Sequence, residues 1–179
     1  MRIGICINRS WNIHNFRRGL VKALMQDGHE VVAIAPSEPD YNRKLLDLGC
    51  EFVPVEMEAK GANPLKDLQL ILKLRRAYQK AKIDVVLQYT IKPNIYGTLA
   101  AKSLSLPAIN NVTGLGTVFI RKNLTAKAAY ALYRLAFRFP QKVFFQNEDD
   151  QQLFLDMGLV RKGITGLLPG SGVDLQHFS

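Results

Sequence analysis

Val85-Val86-Leu87-Gln88-Tyr89-Thr90-Ile91-Lys92-Pro93-Asn94-Ile95-Tyr96-Gly97 decides how this chain is organised. A short apolar run ends in a polar turn carrying a lysine, a proline and an asparagine, and a helical stretch, Ile95 to Leu104, follows at once. A strand that breaks into a helix through Lys-Pro-Asn brings unpaired backbone N–H groups and a cation to one place. Open α/β sheets meet an anion or a polar ligand at such a turn.

The same alternation runs outward in both directions. Ile3–Ile7, Val31–Ala35, Phe52–Val55, Pro107–Thr113, Lys142–Asn147 and Ile164–Leu168 are further strand candidates. Pro54 within the third marks it as an edge or irregular strand. Between them lie helical patterns: Phe16, Leu20 and Leu24 at intervals of four, then Tyr41–Leu48, Leu65–Lys82 after Asn63-Pro64, Leu124–Phe139 and Glu148–Met157. The apolar runs are continuous instead of alternating, so both faces of the sheet are covered. The expectation is an α/β, doubly wound, mostly parallel Rossmann-like sheet of about seven strands with helices on both faces, in one domain. Ligands then belong outside the carboxyl ends of the strands, at Asn8–Asn15, Tyr89–Asn94, Thr113–Gly116, Gln146–Asp150 and Gly170–Asp174.

Composition narrows the partners. Of 179 residues 47% are apolar and 22% charged, ordinary for a globular chain, but the net charge is +9. Residues 1–60 are neutral, so the whole excess lies beyond them. That favours anions: phosphorylated small molecules, an anionic membrane surface or nucleic acid, the last without a recognised motif. Lys66, Lys73, Arg76 and Lys80 share one stripe of a helix, and Arg121–Lys142 holds six Lys/Arg, Arg134 and Arg138 among them, without an acid. Such stripes suit lipid headgroups, although a solvated basic face over a buried apolar one is the plainer reading. Tyr130, Tyr133 and Phe137 form an aromatic stripe on the second. No apolar stretch approaches a membrane span. Two cysteines, Cys6 and Cys50, lie in or beside apolar runs, and Met1-Arg2 leads straight into a strand candidate. The expectation is a reduced cytoplasmic setting, peripheral at the inner face of the plasma membrane if the basic stripes act.

The candidate site residues follow from the loops. Asn8, Arg9, His14, Asn15 and Arg17 crowd the first, which has no glycine; a dinucleotide fingerprint is absent, while phosphate or sugar hydroxyls remain suitable ligands. Thr90, Lys92 and Asn94 lie in the central turn, where Lys92 suits a phosphate and Asn94 also reads as a helix N-cap. Thr113, Gly114, Leu115 and Gly116 offer close backbone approach, or simply a tight turn. Asn147 and Glu148 open a helix start rich in carboxylates that suits the helix dipole. His14, His29 and His177 are scattered, and no metal site is expected.

Four segments taken together, 89–97, Asn110–Phe119, Val143–Asp150 and Pro169–Leu175, resemble the N-terminal half of family-4 glycosyltransferases, closest to bacterial enzymes of capsule, O-antigen or lipid-linked glycan synthesis. The resemblance implies the two-domain GT-B fold and a retaining, metal-independent transfer from a nucleotide-sugar, expected to be a UDP-sugar, to a lipid-linked glycan. It implies that 1–179 is the acceptor-side Rossmann-like domain, binding no cofactor and inactive alone, with the donor-binding domain elsewhere in the protein or on a separate chain. Acceptor and cleft contacts would come from the first loop, Thr90, Lys92, Asn94, Asn147 and Glu148, and donor-diphosphate contacts from Thr113–Gly116. Gly170, Ser171, Gly172 and Asp174 would start the interdomain linker. This sequence departs from the family in lacking a Gly-Gly pair in the first loop and a histidine after the fourth strand, so the catalytic residues are left unassigned. A non-catalytic membrane-docking subunit and half of a GT-B-like nucleotide-sugar epimerase are the alternatives.

Overall fold

The computed structural model describes residues 1–58, 63–114, 124–168 and 170. Seven strands, β1 (Arg2–Cys6), β2 (Glu30–Ala35), β3 (Glu51–Pro54), β4 (Val85–Tyr89), β5 (Ala108–Val112), β6 (Lys142–Phe145) and β7 (Thr165–Leu167), form one sheet in the order β3-β2-β1-β4-β5-β6-β7. Every pairing is parallel. The doubly wound α/β expectation holds, with the proline-containing strand at an edge. The chain leaves β1 in one direction and returns from β3 to the other side of it, so the topological switch point lies between β1 and β4.

Among the described residues six α-helices cover the sheet: α1 (Ser10–Gln26), α2 (Pro39–Asp47), α3 (Pro64–Lys80), α4 (Thr98–Lys102), α5 (Leu124–Ala136) and α6 (Glu148–Asp156). Successive strand residues point to opposite faces, and the core divides accordingly. Ile5, Ile7, Val31 and Ala33 meet Ile13 and Val21 of α1 and Leu45 of α2. Cys6, Val32, Ile34 and Val86 meet Leu70 and Leu74 of α3, and the same core continues through Tyr133 of α5 and Phe137 just past its end to Phe154 of α6. The aromatic stripe on α5 is therefore largely core: the Tyr133 and Phe154 rings meet edge-on at 5.2 Å.

Two local details differ from the sequence reading. The first loop is much shorter than Asn8–Asn15, because α1 already begins at Ser10. Arg9, at its N-cap position, makes no side-chain cap bond; the cap comes from Glu38, 29 residues along, whose carboxylate accepts from the Trp11 N–H at 2.8 Å and the Ser10 hydroxyl at 2.9 Å. The second concerns the central turn. Asn94 is not an N-cap, since it lies inside a π-helical turn, Pro93–Gly97, that runs into α4.

A π-turn spoils the regular backbone ladder, and side chains repair it here. The Asn94 carbonyl receives the Thr98 hydroxyl at 2.7 Å and the Asn110 amide at 3.1 Å, and that amide also donates to Thr98 Oγ1 at 2.8 Å. The Asn94 amide donates in turn to the Asn111 carbonyl at 2.9 Å. Gln88, Asn94, Thr98 and Asn110 are all buried, so these bonds fasten the turn to β4 and β5 in a medium where leaving them unmade is costly. Gly97 permits the contact: a Cβ there would lie 2.7 Å from both Gln88 Oε1 and Tyr78 Oη. Gly97→Ala should destabilise the protein by about 1–3 kcal/mol through overpacking, read as a lower denaturation midpoint at unchanged m-value.

Candidate functional site

At the carboxyl edge of the sheet, the ends of β1, β4, β5 and β6 surround a cavity of about 220 Å³ lined by Ile7, Asn12, Phe16, Arg17, Tyr89, Thr90, Thr113 and Gln146. This is the switch-point crevice that the strand order demands. Arg17, Thr90 and Thr113 are sequence candidates that the fold brings together. Asn12, Tyr89 and Gln146 lie in loops expected at this edge without being singled out as site residues, and Phe16 was expected only as part of the helical period; Asn12 and Phe16 stand four apart on α1, which starts at Ser10.

Arg17 is the unusual member. It is only 7% exposed, its guanidinium carbon stands 4.3 Å from the centroid of the Tyr89 ring, and Nη1 donates to the Phe16 carbonyl at 2.9 Å. Burial lowers its pKa, against an opposing influence from Tyr89, yet an arginine keeps its proton. Among the described residues no carboxylate pairs with it, and Nε has no hydrogen-bond acceptor. A desolvated, uncompensated cation costs on the order of several kcal/mol. Thr90, next to it on the cavity wall, has φ +65°, a left-handed conformation that is a genuine outlier for a β-branched residue. Its buried hydroxyl also lacks a partner among the described residues.

The remaining candidates are placed elsewhere or tied down. Arg9 pairs with Glu38 at 2.6 Å. Asn8 accepts from Asn12 at 3.4 Å, and Asn15 donates to the Trp11 carbonyl at 3.0 Å. His14 is buried and its ring lies 5.9 Å from that of Tyr41. Lys92 is largely buried and ion-paired with Asp67 at 3.2 Å, and Asp67 also accepts from Tyr96 at 2.8 Å. The cation of the central turn is thus neutralised from α3, and Lys92 lines a second hollow of about 300 Å³ with Glu56, Glu58, Lys66 and Lys73. Asn94 is locked in the π-turn. Asn147 caps α6 by accepting from the Asp150 N–H at 2.7 Å, and Glu148 is exposed in its first turn. Gly114 and Gly170 are exposed with φ +136° and +63°. Leu115, Gly116, Ser171, Gly172 and Asp174 lie outside the described residues.

Glu38 settles one electrostatic question. The N-terminus of α1 is where a doubly wound sheet usually receives phosphate, and here an internal carboxylate fills it. Lys66, Lys73, Arg76 and Lys80 are exposed on α3, Arg138 is exposed on the chain just past α5, and Arg134 is exposed while donating to the Met157 carbonyl at 2.8 Å. Leu65, Leu68 and Leu72 are 74%, 57% and 47% exposed; at about 100° per residue they form a stripe opposite the buried Leu70, Leu74 and Tyr78 and adjoining the basic one. No helix among the described residues is long and apolar enough to cross a membrane, and none of their His, Cys, Asp and Glu form a cluster of three able to hold a metal ion. Cys6 and Cys50 are free and buried, with thiols pushed up to about 12 and about 11 by burial.

Fold and crevice together define a doubly wound parallel sheet with a polar-lined cavity at its switch point. The description "glycosyl transferase 4-like" matches residues 4–147, and the chain belongs to that family. It is 30% identical over 183 aligned residues to the N,N'-diacetylbacillosaminyl-diphospho-undecaprenol alpha-1,3-N-acetylgalactosaminyltransferase of Campylobacter jejuni, covering 99% of this chain and 48% of that protein. The chain thus spans about half the length of the curated relative it matches. Among solved structures it superposes on Acinetobacter baumannii MurG (TM-score 0.62, 18% identity, 98% of this chain and 47% of that one) and on Anabaena Alr3699/HepE in complex with UDP and glucose (TM-score 0.68, 15% identity, 98% and 46%). UDP-GlcNAc 2-epimerase from Methanocaldococcus jannaschii is similar too (TM-score 0.63, 13% identity, 93% and 45%). At those identities the likeness is one of fold.

Glu38 generates a pH prediction. Burial alone would raise its carboxyl, but the Trp11 N–H, the Arg9 guanidinium and the Ser10 hydroxyl together hold it below the usual 4.5. A depressed folded-state pKa means stability that is present above about 4.5 and lost as pH falls through the lowered value. Glu38→Ala should cost about 1–2 kcal/mol at pH 7, and the difference from wild type should shrink below pH 4 in denaturant titrations.

Proposed function

We propose that this chain is the acceptor-binding half of a retaining glycosyltransferase of GT-B architecture, transferring a hexosyl or N-acetylhexosaminyl group from a UDP-sugar to a lipid-linked glycan in cell-surface polysaccharide synthesis. The observation that carries this reading is the switch-point cavity: four strand ends and α1 supply hydroxyls, amides and a cation with no carboxylate partner among the described residues, around a space open to a polar ligand. Membership of the glycosyl transferase 4-like family supports transfer over epimerisation. The relative's diphospho-undecaprenol substrate supports a lipid-linked acceptor. Its greater length leaves room for a donor-binding domain, contiguous or on a separate chain.

In such an enzyme the chain's share is positioning. Thr90 and Asn12 would orient the acceptor, with Thr113 on the donor-diphosphate side; the acceptor hydroxyl would attack the anomeric carbon from the face that the departing phosphate leaves, and holding reactants in that geometry supplies much of the acceleration. In the full-length enzyme, Thr90→Val should raise KM for an isoprenyl-diphosphate-linked sugar about tenfold, the loss of one hydrogen bond to a charged or polyhydroxyl group, with little effect on KM for the UDP-sugar. Absence of transfer from any UDP-sugar to such acceptors would sink the reading.

The α3 surface supports a membrane role at the cytoplasmic face. Its N-terminal end lies at the carboxyl edge of the sheet, as the cavity does, so a lipid-linked acceptor would enter along a face where leucines adjoin four cations. Lys73→Ala, Arg76→Ala and Lys80→Ala combined should weaken binding to vesicles containing phosphatidylglycerol roughly 100-fold at low salt. Replacing Leu65, Leu68 and Leu72 with serine should weaken the residual binding that survives high salt. Equal sedimentation of all variants would remove this surface from the account.

A further inference from the structure

Asp67 makes more contacts than its place on α3 requires. A carboxylate in the first turn of a helix can suit the dipole from the solvent side, but this one is only 7% exposed and both of its oxygens serve another element. Oδ1 holds the Lys92 ammonium at 3.2 Å, and Oδ2 accepts from the Tyr96 hydroxyl at 2.8 Å. Lys92 stands at the entry to the π-turn and Tyr96 within it. Replacing a buried ion pair by well-packed apolar side chains is often neutral or stabilising, so the energy of the pair itself does not account for it. What it fixes in place does.

That is the path from β4 into the π-turn. Upstream, Tyr89 is registered against Asn111 of β5. Downstream, the Asn94 N–H closes on the Thr90 carbonyl at 3.0 Å, and Lys92 is tied to α3. Thr90 lies between these fixed points with φ +65°, a strained form that persists only where the surroundings over-determine it. Its hydroxyl is buried, and Thr90 lines the crevice, whereas Asp67 does not. With the downstream attachment released, a threonine returns to negative φ and carries its hydroxyl off the crevice wall.

We infer that Asp67 is a positioning residue: acting through Lys92 and Tyr96, it keeps Thr90 left-handed and so sets the Thr90 hydroxyl in the crevice. That this hydroxyl meets a glycan acceptor rests on the transferase reading; that Asp67 sets it in place does not.

A thermal-unfolding cycle on the ligand-free full-length protein tests the placement. Thr90→Gly should raise Tm by about 2–4 °C, because glycine adopts the left-handed form without strain. In an Asp67→Asn, Lys92→Met background, where the tie is gone and no cation is left unpaired, the same substitution should give no gain. An equal gain in both backgrounds overturns the proposal, as does no gain in either. Should that background fail to fold, Tyr96→Phe takes its place and should diminish the gain; an undiminished gain overturns the proposal equally. Kinetics separate positioning from mere stability. The Asp67→Asn, Lys92→Met protein should keep a Tm near that of wild type, yet its KM for an isoprenyl-diphosphate-linked sugar should rise about fivefold with the KM for the UDP-sugar unchanged. Adding Thr90→Gly should raise the acceptor KM no further than Thr90→Gly does alone. A wild-type acceptor KM in the first variant, an equal rise in both KM values, or multiplicative effects in the second overturn the positioning role. A wild-type enzyme that transfers no sugar removes the transferase reading instead, and the cycle in Tm then decides the role of Asp67.

Discussion

The Asn94 carbonyl, held by the Thr98 hydroxyl and the Asn110 amide, is the contact on which the working edge of this sheet depends. It lies where β4 stops being a strand. A π-turn there leaves backbone groups short of partners in a buried place, and the only affordable solution is to satisfy them from the neighbouring strand. Because Asn110 belongs to β5 and Gln88 to β4, the turn cannot shift without disturbing both. The left-handed Thr90 just before it, and hence one wall of the cavity, inherits that rigidity.

The opposite wall is set by α1, and its position is electrostatic as much as apolar. Ile13 and Val21 bury the helix against the sheet, but its N-terminal turn is held from β2's side by the Glu38 carboxylate. The result separates two tasks that many doubly wound folds combine. The helix terminus, with its aligned dipoles, serves internal structure, and the cation two turns further in faces the crevice. Asp67 does the same for the central turn by neutralising Lys92 and binding Tyr96, so the two most prominent charged features of the carboxyl edge are both structural.

The parallel, doubly wound sheet, the edge position of β3 and the helices were legible because continuous apolar runs separated by helical periods leave little choice of architecture. The set of loops around the crevice followed from topology alone. Which side chains face it did not. Lys92 and Asn94 sit in the most suggestive turn of the sequence, yet one is paired with a residue 25 positions away and the other donates its amide to the Asn111 carbonyl of β5. Arg17, one of five candidates from a single stretch, became distinctive through its burial without a carboxylate partner among the described residues, and such a tertiary environment leaves no trace in a sequence. The start of α1 was misplaced for a related reason: its cap is a tertiary contact, and Arg9 gives no local signal.

That distant cap also has a consequence for how the chain reaches its structure. An isolated segment covering α1 has no local side chain to cap the Trp11 N–H, although the Asn12 N–H reaches the Arg9 carbonyl, and forming the first turn is the unfavourable step in making any helix. Glu38 arrives only when β2 has paired with β1 and the chain has turned beyond it. The β1–α1–β2 unit therefore assembles as a single cooperative block, and during synthesis the first helix is not secured until about forty residues have emerged.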